Sequence, residues 1–154
     1  MDANEANLIS EQWVARTAES CPHLAAALLS KEPDPFRNPV GAVLRRGLSL
    51  LLRELSGEMD ATAIDSALDP IVRLEAAQGV TPVDAVLFVS LLKPALREFA
   101  PQRDLAVLDG RIDRLAAIAA DKYTQCREQL AQIRAREVQR ASYVQLRIRA
   151  RRPA

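Results

Sequence analysis

Hydrophobic residues recur at three- and four-residue spacing along most of the chain, the pattern that amphipathic helices produce. The stretch over residues 40–55 shows it most clearly, with Leu44, Leu48, Leu51, Leu52 and Leu55 on one face. Only five glycines are present, and few dipeptides suit hairpin turns. The pattern predicts helices over residues 7–19, 23–29, 40–55, 64–77, 82–99 and 104–149.

A proline-rich segment separates the second and third predicted helices. Pro33, Pro35 and Pro39 lie within residues 31–39, where their missing N–H groups forbid a continuous helix. This segment is predicted to be a structured loop that Phe36 anchors in the core.

Further along the chain, proline and glycine mark the predicted helix boundaries. Pro70 either opens its helix at the first turn, which we favour, or kinks it, and Gly79 is interpreted as closing the helix. Thr81 is placed to cap the next helix, with Pro82 at its first position. Pro94 is expected to interrupt the last turns before residue 99.

The last predicted helix is unusually long. Residues 104–149 contain no proline and only Gly110 as a candidate kink. A helix of about 45 residues spans about 68 Å at 1.5 Å per residue, more than one compact domain of this size. Its end must therefore project or pack on a partner. We expect a single domain over residues 1–154, with residues 137–154 as a projecting basic helix end.

Composition narrows the class of protein. Hydrophobic residues make up 49% of the chain and aromatic residues only 4%, so leucine and alanine must build the core of an all-α fold. The net charge of +1 gives no global field toward nucleic acid. The start of the chain is acidic and polar, two cysteines are present, and no apolar run reaches about 18 residues. These features predict a cytoplasmic protein without a membrane span.

No pattern of catalytic or metal-binding residues is present in the sequence. His23 is the only histidine, and it lies too near the start for a globin haem ligand. We therefore expect neither an enzyme nor a bound cofactor. Cys126 continues an apolar stripe and is interpreted as a buried thiol. A reactive thiol beside Arg127, or at Cys21, is the alternative.

A set of polar residues lies on or beside otherwise apolar helices: Arg73, Gln78, Asp113, Tyr123 and Arg127. Tyr123 and Arg127 are four residues apart and share a helix face. The set is either a polar switch lining a small pocket or ordinary helix–helix salt bridging. The arginines from position 138 onward are either an anionic-surface site or a solvated helix end.

Several stretches, in order along nearly the whole chain, carry a family resemblance. They are Trp13 and residues 34–41, 71–82, 85–93 and 123–137. With these residues the chain resembles the RsbRD-type N-terminal sensor domain, named from co-antagonists of the RsbT kinase in bacterial stress signalling. Two positions depart from the family pattern: Glu75 stands where an arginine is usual, and Ala120 where an aromatic residue is usual.

The resemblance implies a globin-like helical bundle without haem. Such domains precede phosphorylatable or kinase modules, or stand alone beside genes for membrane redox complexes. This chain is expected to be a stand-alone version. The leading hypothesis is a non-catalytic sensory or regulatory domain, a homodimer through its first and last helices, with a signalling kinase or stressosome partner. The alternative is an accessory protein docking on a membrane redox complex through a redox-active cysteine.

Overall fold

The computed structural model describes residues 1–152, whose regular structure consists of seven α-helices and no strand. The helices are α1 Ala3–Ser20, α2 Pro22–Leu29, α3 Pro39–Ser56, α4 Ala61–Gln78, α5 Pro82–Ser90, α6 Leu92–Phe99 and α7 Leu105–Ala150. The predictions of an all-α fold and a long C-terminal helix are confirmed. None of the helices in this range is long and apolar enough to cross a membrane.

Side-chain caps begin most of the helices. The oxygens of Asp2, Asn38, Asp60, Thr81 and Asp104 each accept a hydrogen bond from the backbone N–H three residues later. Each bond satisfies an N–H that has no partner within its own helix. Gly79 ends α4 in the left-handed conformation, with φ of 68°. The predicted boundary from Gly79 to Pro82 is therefore present.

Large apolar side chains from all seven helices form one core. Trp13 of α1 is fully buried and its indole Nε1 donates to the carbonyl oxygen of Phe88 at 2.6 Å. This bond satisfies the polar end of the largest core side chain. Helix α3 packs on α4, and α7 packs on both α4 and α5. Helix α1 packs on α2, α3, α5 and α6, so most of its buried face serves this chain's own core.

Pro70 lies inside α4 rather than at its start, so the favoured interpretation, a helix that begins at this residue, was wrong. The residue is exposed, whereas Leu68 and Ile71 beside it are fully buried. Burial of these two side chains stabilises the helix on both sides of the lost backbone hydrogen bond. Packing of the apolar face therefore outweighs the local effect of the proline.

Two other predictions from local sequence also fail. The break between α5 and α6 falls at Leu91, and Pro94 lies in the first turn of α6, where a missing N–H is tolerated. Phe36 does not anchor its loop, because it is 94% exposed. The loop is held by polar contacts instead: Asp34 accepts from the Phe36 N–H, and the Asn38 amide donates to the Ala27 carbonyl at 2.8 Å.

Helix α7 runs unbroken through Gly110 for 46 residues, about 69 Å at the usual rise. Its buried residues are Leu108, Ile112, Leu115, Ala119, Tyr123 and Cys126. From position 131 onward every described residue is exposed. We call residues 131–150 the arm and residues 1–130 the body. The last two residues of the predicted basic end, 153 and 154, lie outside the described range.

Two glycines inside helices differ in their surroundings and give a matched test of the packing. A Cβ at Gly41 would overlap the Ala27 backbone carbonyl and the Asn38 side chain, whereas a Cβ at Gly110 meets nothing within 4 Å. Gly41→Ala should lower the free energy of unfolding by roughly 2 kcal/mol. Gly110→Ala should raise it by about 1 kcal/mol through helix propensity. Urea unfolding followed by circular dichroism measures both; equal effects would contradict the close approach of α2 and α3.

Candidate functional site

Two polar side chains of α7 reach the junction between α4 and α5. The Tyr123 side chain is buried, and its hydroxyl donates to the carbonyl oxygen of Val80. Arg127, one turn further on, donates from Nη1 to the carbonyl oxygen of Ala76 at 3.1 Å. The predicted pair therefore shares one face, and both members bind backbone carbonyls rather than each other.

The end of a helix explains why these two side chains fit here. The last carbonyls of α4 have no N–H partner within the helix, and they carry the negative end of its dipole. The Arg127 guanidinium adds a second donor to the Ala76 carbonyl, which also accepts from the Gly79 N–H, and the Tyr123 hydroxyl satisfies the Val80 carbonyl between α4 and α5. A movement of α7 along its axis would break both bonds. The two bonds therefore form only when α7 holds one position relative to the α4–α5 junction.

The other three members of the predicted polar set are not part of this contact. Arg73 pairs with Asp69 on its own helix at 2.6 Å, and Asp113 pairs with Lys93 at 2.5 Å. Gln78 is exposed and has no side-chain hydrogen bond to the described residues. The Arg73 guanidinium, followed by Lys122, lowers the pKa of Asp69. Exposed pairs of this kind contribute at most about 1 kcal/mol each to the free energy of unfolding. They lie on the surface around the site and are not part of it.

Both cysteines are buried. Cys126 is 7% exposed and lines a shallow groove of about 120 Å³, formed also by Ala76, Ala77, Leu130, Ile133, Arg73 and Gln129. Burial, followed by the charges of Glu75 and Asp84, raises the pKa of Cys21 to about 11. Cys21 is therefore a protonated thiol at neutral pH and a poor nucleophile.

A contact between a half-buried histidine and a buried carboxyl group, which the sequence analysis missed, joins α2 to α4. His23 Nε2 lies 2.6 Å from Glu75 Oε2, and the Glu75 side chain is fully buried. The second carboxylate oxygen, Oε1, has no hydrogen-bond partner in residues 1–152. Burial raises the pKa of Glu75, and the attraction of His23 opposes that rise without cancelling it. Buried carboxylates with an unmet oxygen are uncommon in helical cores.

One signal in the sequence could have indicated this pair. Glu75 follows Leu68 and Ile71 at three- and four-residue spacing, so it occupies a core position of α4. A carboxylate at a core position requires a partner, and the only histidine is the natural candidate. His23 lies 52 positions away along the chain, so local pattern alone could not join the two residues.

The site supports contacts between helices more readily than chemistry on a substrate. Groups of three or more metal-ligating side chains are not found among the described residues. Tyr123 and Arg127 are engaged with backbone carbonyls, and the two thiols are buried. The arrangement links α7 to the α4–α5 junction and, through α4, to the buried His23–Glu75 pair.

One protein-family model matches residues 8–138: the RsbT co-antagonist protein rsbRD N-terminal domain. The match covers most of the chain and includes both the junction and the His23–Glu75 pair. The chain belongs to this family. The resemblance inferred from the sequence is thus confirmed, and the family is one of regulatory domains in stress signalling. Searches of curated proteins and of solved structures return no match, so the globin-like arrangement stays a prediction.

The hydroxyl of Tyr123 gives a direct test of the junction. Tyr123→Phe removes the donor to the partly buried carbonyl of Val80, at a cost of roughly 1 kcal/mol in the free energy of unfolding. Tyr143→Phe is the control, because Tyr143 is 61% exposed on the arm. Urea unfolding measures both variants. Equal stabilities for the two variants would contradict the hydrogen bond across the junction.

The Glu75 carboxyl predicts a pH dependence. Its pKa is raised in the folded protein above the ordinary value of 4.5, so the folded state binds more protons than the unfolded state above that pH. The contribution of Glu75 to stability therefore falls as the pH rises from 4.5 toward the raised pKa. Glu75→Gln removes this titration, so the variant should gain stability relative to the natural protein over that window. Thermal unfolding at pH 4.5, 5.5, 6.5 and 7.5 tests this; a constant difference would contradict a raised pKa.

Proposed function

We propose that this chain is a non-catalytic sensory or regulatory domain of bacterial stress signalling that acts through the packing of α7. The observation that carries the proposal is the junction: Tyr123 and Arg127 tie α7 to the end of α4. The same helix continues unbroken into the exposed arm. One rigid element therefore connects the packed body to a surface that is open to a partner.

The mechanism follows from the two backbone contacts. Each bond requires α7 to hold one position relative to α4, and a shift of one helical turn would require both to be exchanged together. A ligand or partner with different affinities for the two positions would shift their populations. The arm would then move as a rigid extension of the segment that carries Tyr123 and Arg127. Catalysis by the chain itself is not required.

The partners that fit this proposal are a second copy of the chain and a signalling protein. The family description names an RsbT co-antagonist, so a kinase of that type or a stressosome assembly is the proposed signalling partner. The family description supports a cytoplasmic location, where a kinase partner of that type would act. Because α1 is largely committed to the body, we assign the dimer contact to α7.

Self-association provides the test. Light scattering at micromolar concentration should give a mass of about 34 kDa, twice the 17.0 kDa of one chain. Arg127→Ala removes the bond to Ala76, loosens the base of the arm and should raise the dissociation constant of the dimer roughly fivefold, the equivalent of about 1 kcal/mol.

Arg114→Ala is the matched control, because Arg114 is an exposed arginine of the same helix. The dimer of the Arg114→Ala variant should have the same dissociation constant as the dimer of the natural protein. A monomer at micromolar concentration would contradict the dimer. If the protein is a dimer but its dissociation constant is the same for Arg127→Ala, Arg114→Ala and the natural protein, the junction does not influence association through the arm. That result would contradict the mechanism.

A further inference from the structure

Charge is divided unevenly between the body and the arm. Residues 1–130 hold 14 basic and 19 acidic side chains, whereas residues 131–152 hold seven arginines, no lysine and one glutamate. The small net charge of the whole chain therefore conceals a negative body and a strongly positive arm. Such an arm attracts a partner of the opposite sign.

The arginines of the arm lack the contacts that the arginines of the body make. Of the eleven arginines in residues 1–130, nine bind a carboxylate or a backbone carbonyl oxygen. None of the seven arginine side chains in residues 131–152 makes an ion pair or a hydrogen bond with another described residue. Arg147 only stacks on Tyr143, with the guanidinium carbon 5.7 Å from the centre of the ring. The guanidinium groups of the arm therefore remain available to a partner.

Four of these arginines form a line along one face of α7. An α-helix turns by about 100° per residue, so residues spaced four, seven and four positions apart stay within about 60° of one another. The line covers about 22 Å of the helix at 1.5 Å per residue. We call its members the arginine stripe: Arg136, Arg140, Arg147 and Arg151. The other three arginines lie on the opposite side of the helix.

Large apolar side chains border the stripe on both sides. Val144 and Ile148 lie on one side, Tyr143 and Leu146 lie on the other, and each is more than half exposed. Arginine is enriched and lysine depleted in protein–protein interfaces, and a guanidinium binds a carboxylate through two parallel hydrogen bonds. A line of guanidinium groups between two apolar borders thus complements a helix that carries a line of carboxylates between two apolar borders.

The borders disfavour a lipid surface and a nucleic acid as the anionic partner. A helix that lies on a membrane gathers its apolar side chains on one face, whereas Leu146 and Ile148 point about 160° apart. The phosphates of a nucleic acid would bind the stripe and leave both borders exposed. A long polyanion would also repel the negative body. An acidic helix of a protein satisfies both the stripe and its borders.

The described helices of this chain offer no such acidic line. Acidic side chains four residues apart on one helix occur in two places, and both pairs already bind basic side chains of the body: Asp65 with Asp69, and Asp109 with Asp113. The complement of the stripe is therefore expected on a different protein.

We propose that the arginine stripe is a docking surface for an acidic amphipathic helix of a different protein, whose carboxylates pair with the four guanidinium groups. Arg136 repels Arg140 one turn away, and Arg147 repels Arg151 in the same way, so the charges of the stripe destabilise the unbound helix. Bound carboxylates replace this repulsion by attraction, and docking stabilises the arm. The inference rests on the proposed function and deepens it, because it gives the chemistry of the signalling partner that responds to the position of the arm.

A synthetic peptide tests the stripe in the full chain. The probe is a fluorescein-labelled amphipathic helix as long as the arm, with glutamates at the spacing of the stripe and leucines on both borders. Fluorescence anisotropy at about 0.15 M salt measures its dissociation constant. The double variant Arg140→Gln, Arg147→Gln should raise that constant roughly tenfold or more, since two charge-assisted contacts are lost.

The double variant Arg134→Gln, Arg149→Gln is the matched control. It removes the same charge from the opposite side of the helix, where both residues are exposed. Salt screens charges beyond about 8 Å, so this variant should change the constant less than about twofold. Circular dichroism of both variants establishes that neither substitution unfolds the helices.

Several results would overturn the docking surface. They are equal weakening by the two double variants, no binding of the peptide, and equal binding of a peptide with glutamines in place of the glutamates. Tighter binding of a DNA duplex as long as the arm, or of phosphatidylglycerol vesicles, would assign the stripe to another class of partner. An effect of the stripe variant on the dissociation constant of the dimer, without an effect on the peptide, would assign the stripe to a second copy.

Failure of this inference and failure of the proposed function are distinguishable. If the peptide does not bind but light scattering shows a dimer that Arg127→Ala weakens, only the docking surface is overturned. If the peptide binds through the stripe but Arg127→Ala leaves the dimer unchanged, the docking surface stands and the mechanism through the junction is overturned.

Discussion

The length of α7 is the constraint on which the rest of the structure depends. A helix of 46 residues cannot be covered by a body built from six shorter helices, so its buried face ends near Cys126 while the helix continues. The body must fix the position of this helix with contacts from only part of its length. Apolar packing on α4 and α5 supplies most of the free energy, because it removes six side chains of α7 from water.

The hydrogen bonds from Tyr123 and Arg127 fix where α7 lies along the surface on which it packs. Apolar surfaces slide past one another at modest cost, whereas a donor aimed at a particular carbonyl is satisfied in one place only. The two carbonyls lie where α4 ends and α5 begins, so α7 is aligned with the boundary between two helices. This alignment gives a single helix two roles, as part of the core and as an exposed arm.

The buried His23–Glu75 pair gives α4 a second polar constraint. Glu75 faces the core, and one of its oxygens has no partner among the described residues. Replacement of such a pair by apolar residues is often neutral or stabilising, so its presence is poorly explained by stability alone. It joins α2 to α4, the same helix whose end receives Tyr123 and Arg127. The contact at Glu75 and the bond from Arg127 to the last turn of α4 together restrict the position of that helix.

The sequence alone determined the helical class, the family, most helix positions, the length of α7 and the burial of Cys126, because these depend on periodicity, caps and local composition. Only the tertiary structure decided that Pro70 lies inside a helix, that Phe36 faces solvent and that Glu75 meets His23. It also separated Tyr123 and Arg127, which bind the α4 end, from Arg73, Gln78 and Asp113, which lie on the surface. The physical reason is the same in each case. Packing and burial between distant segments outweigh the local conformational preference of a residue. The hydrophobic pattern of one sequence does not show which segments come into contact.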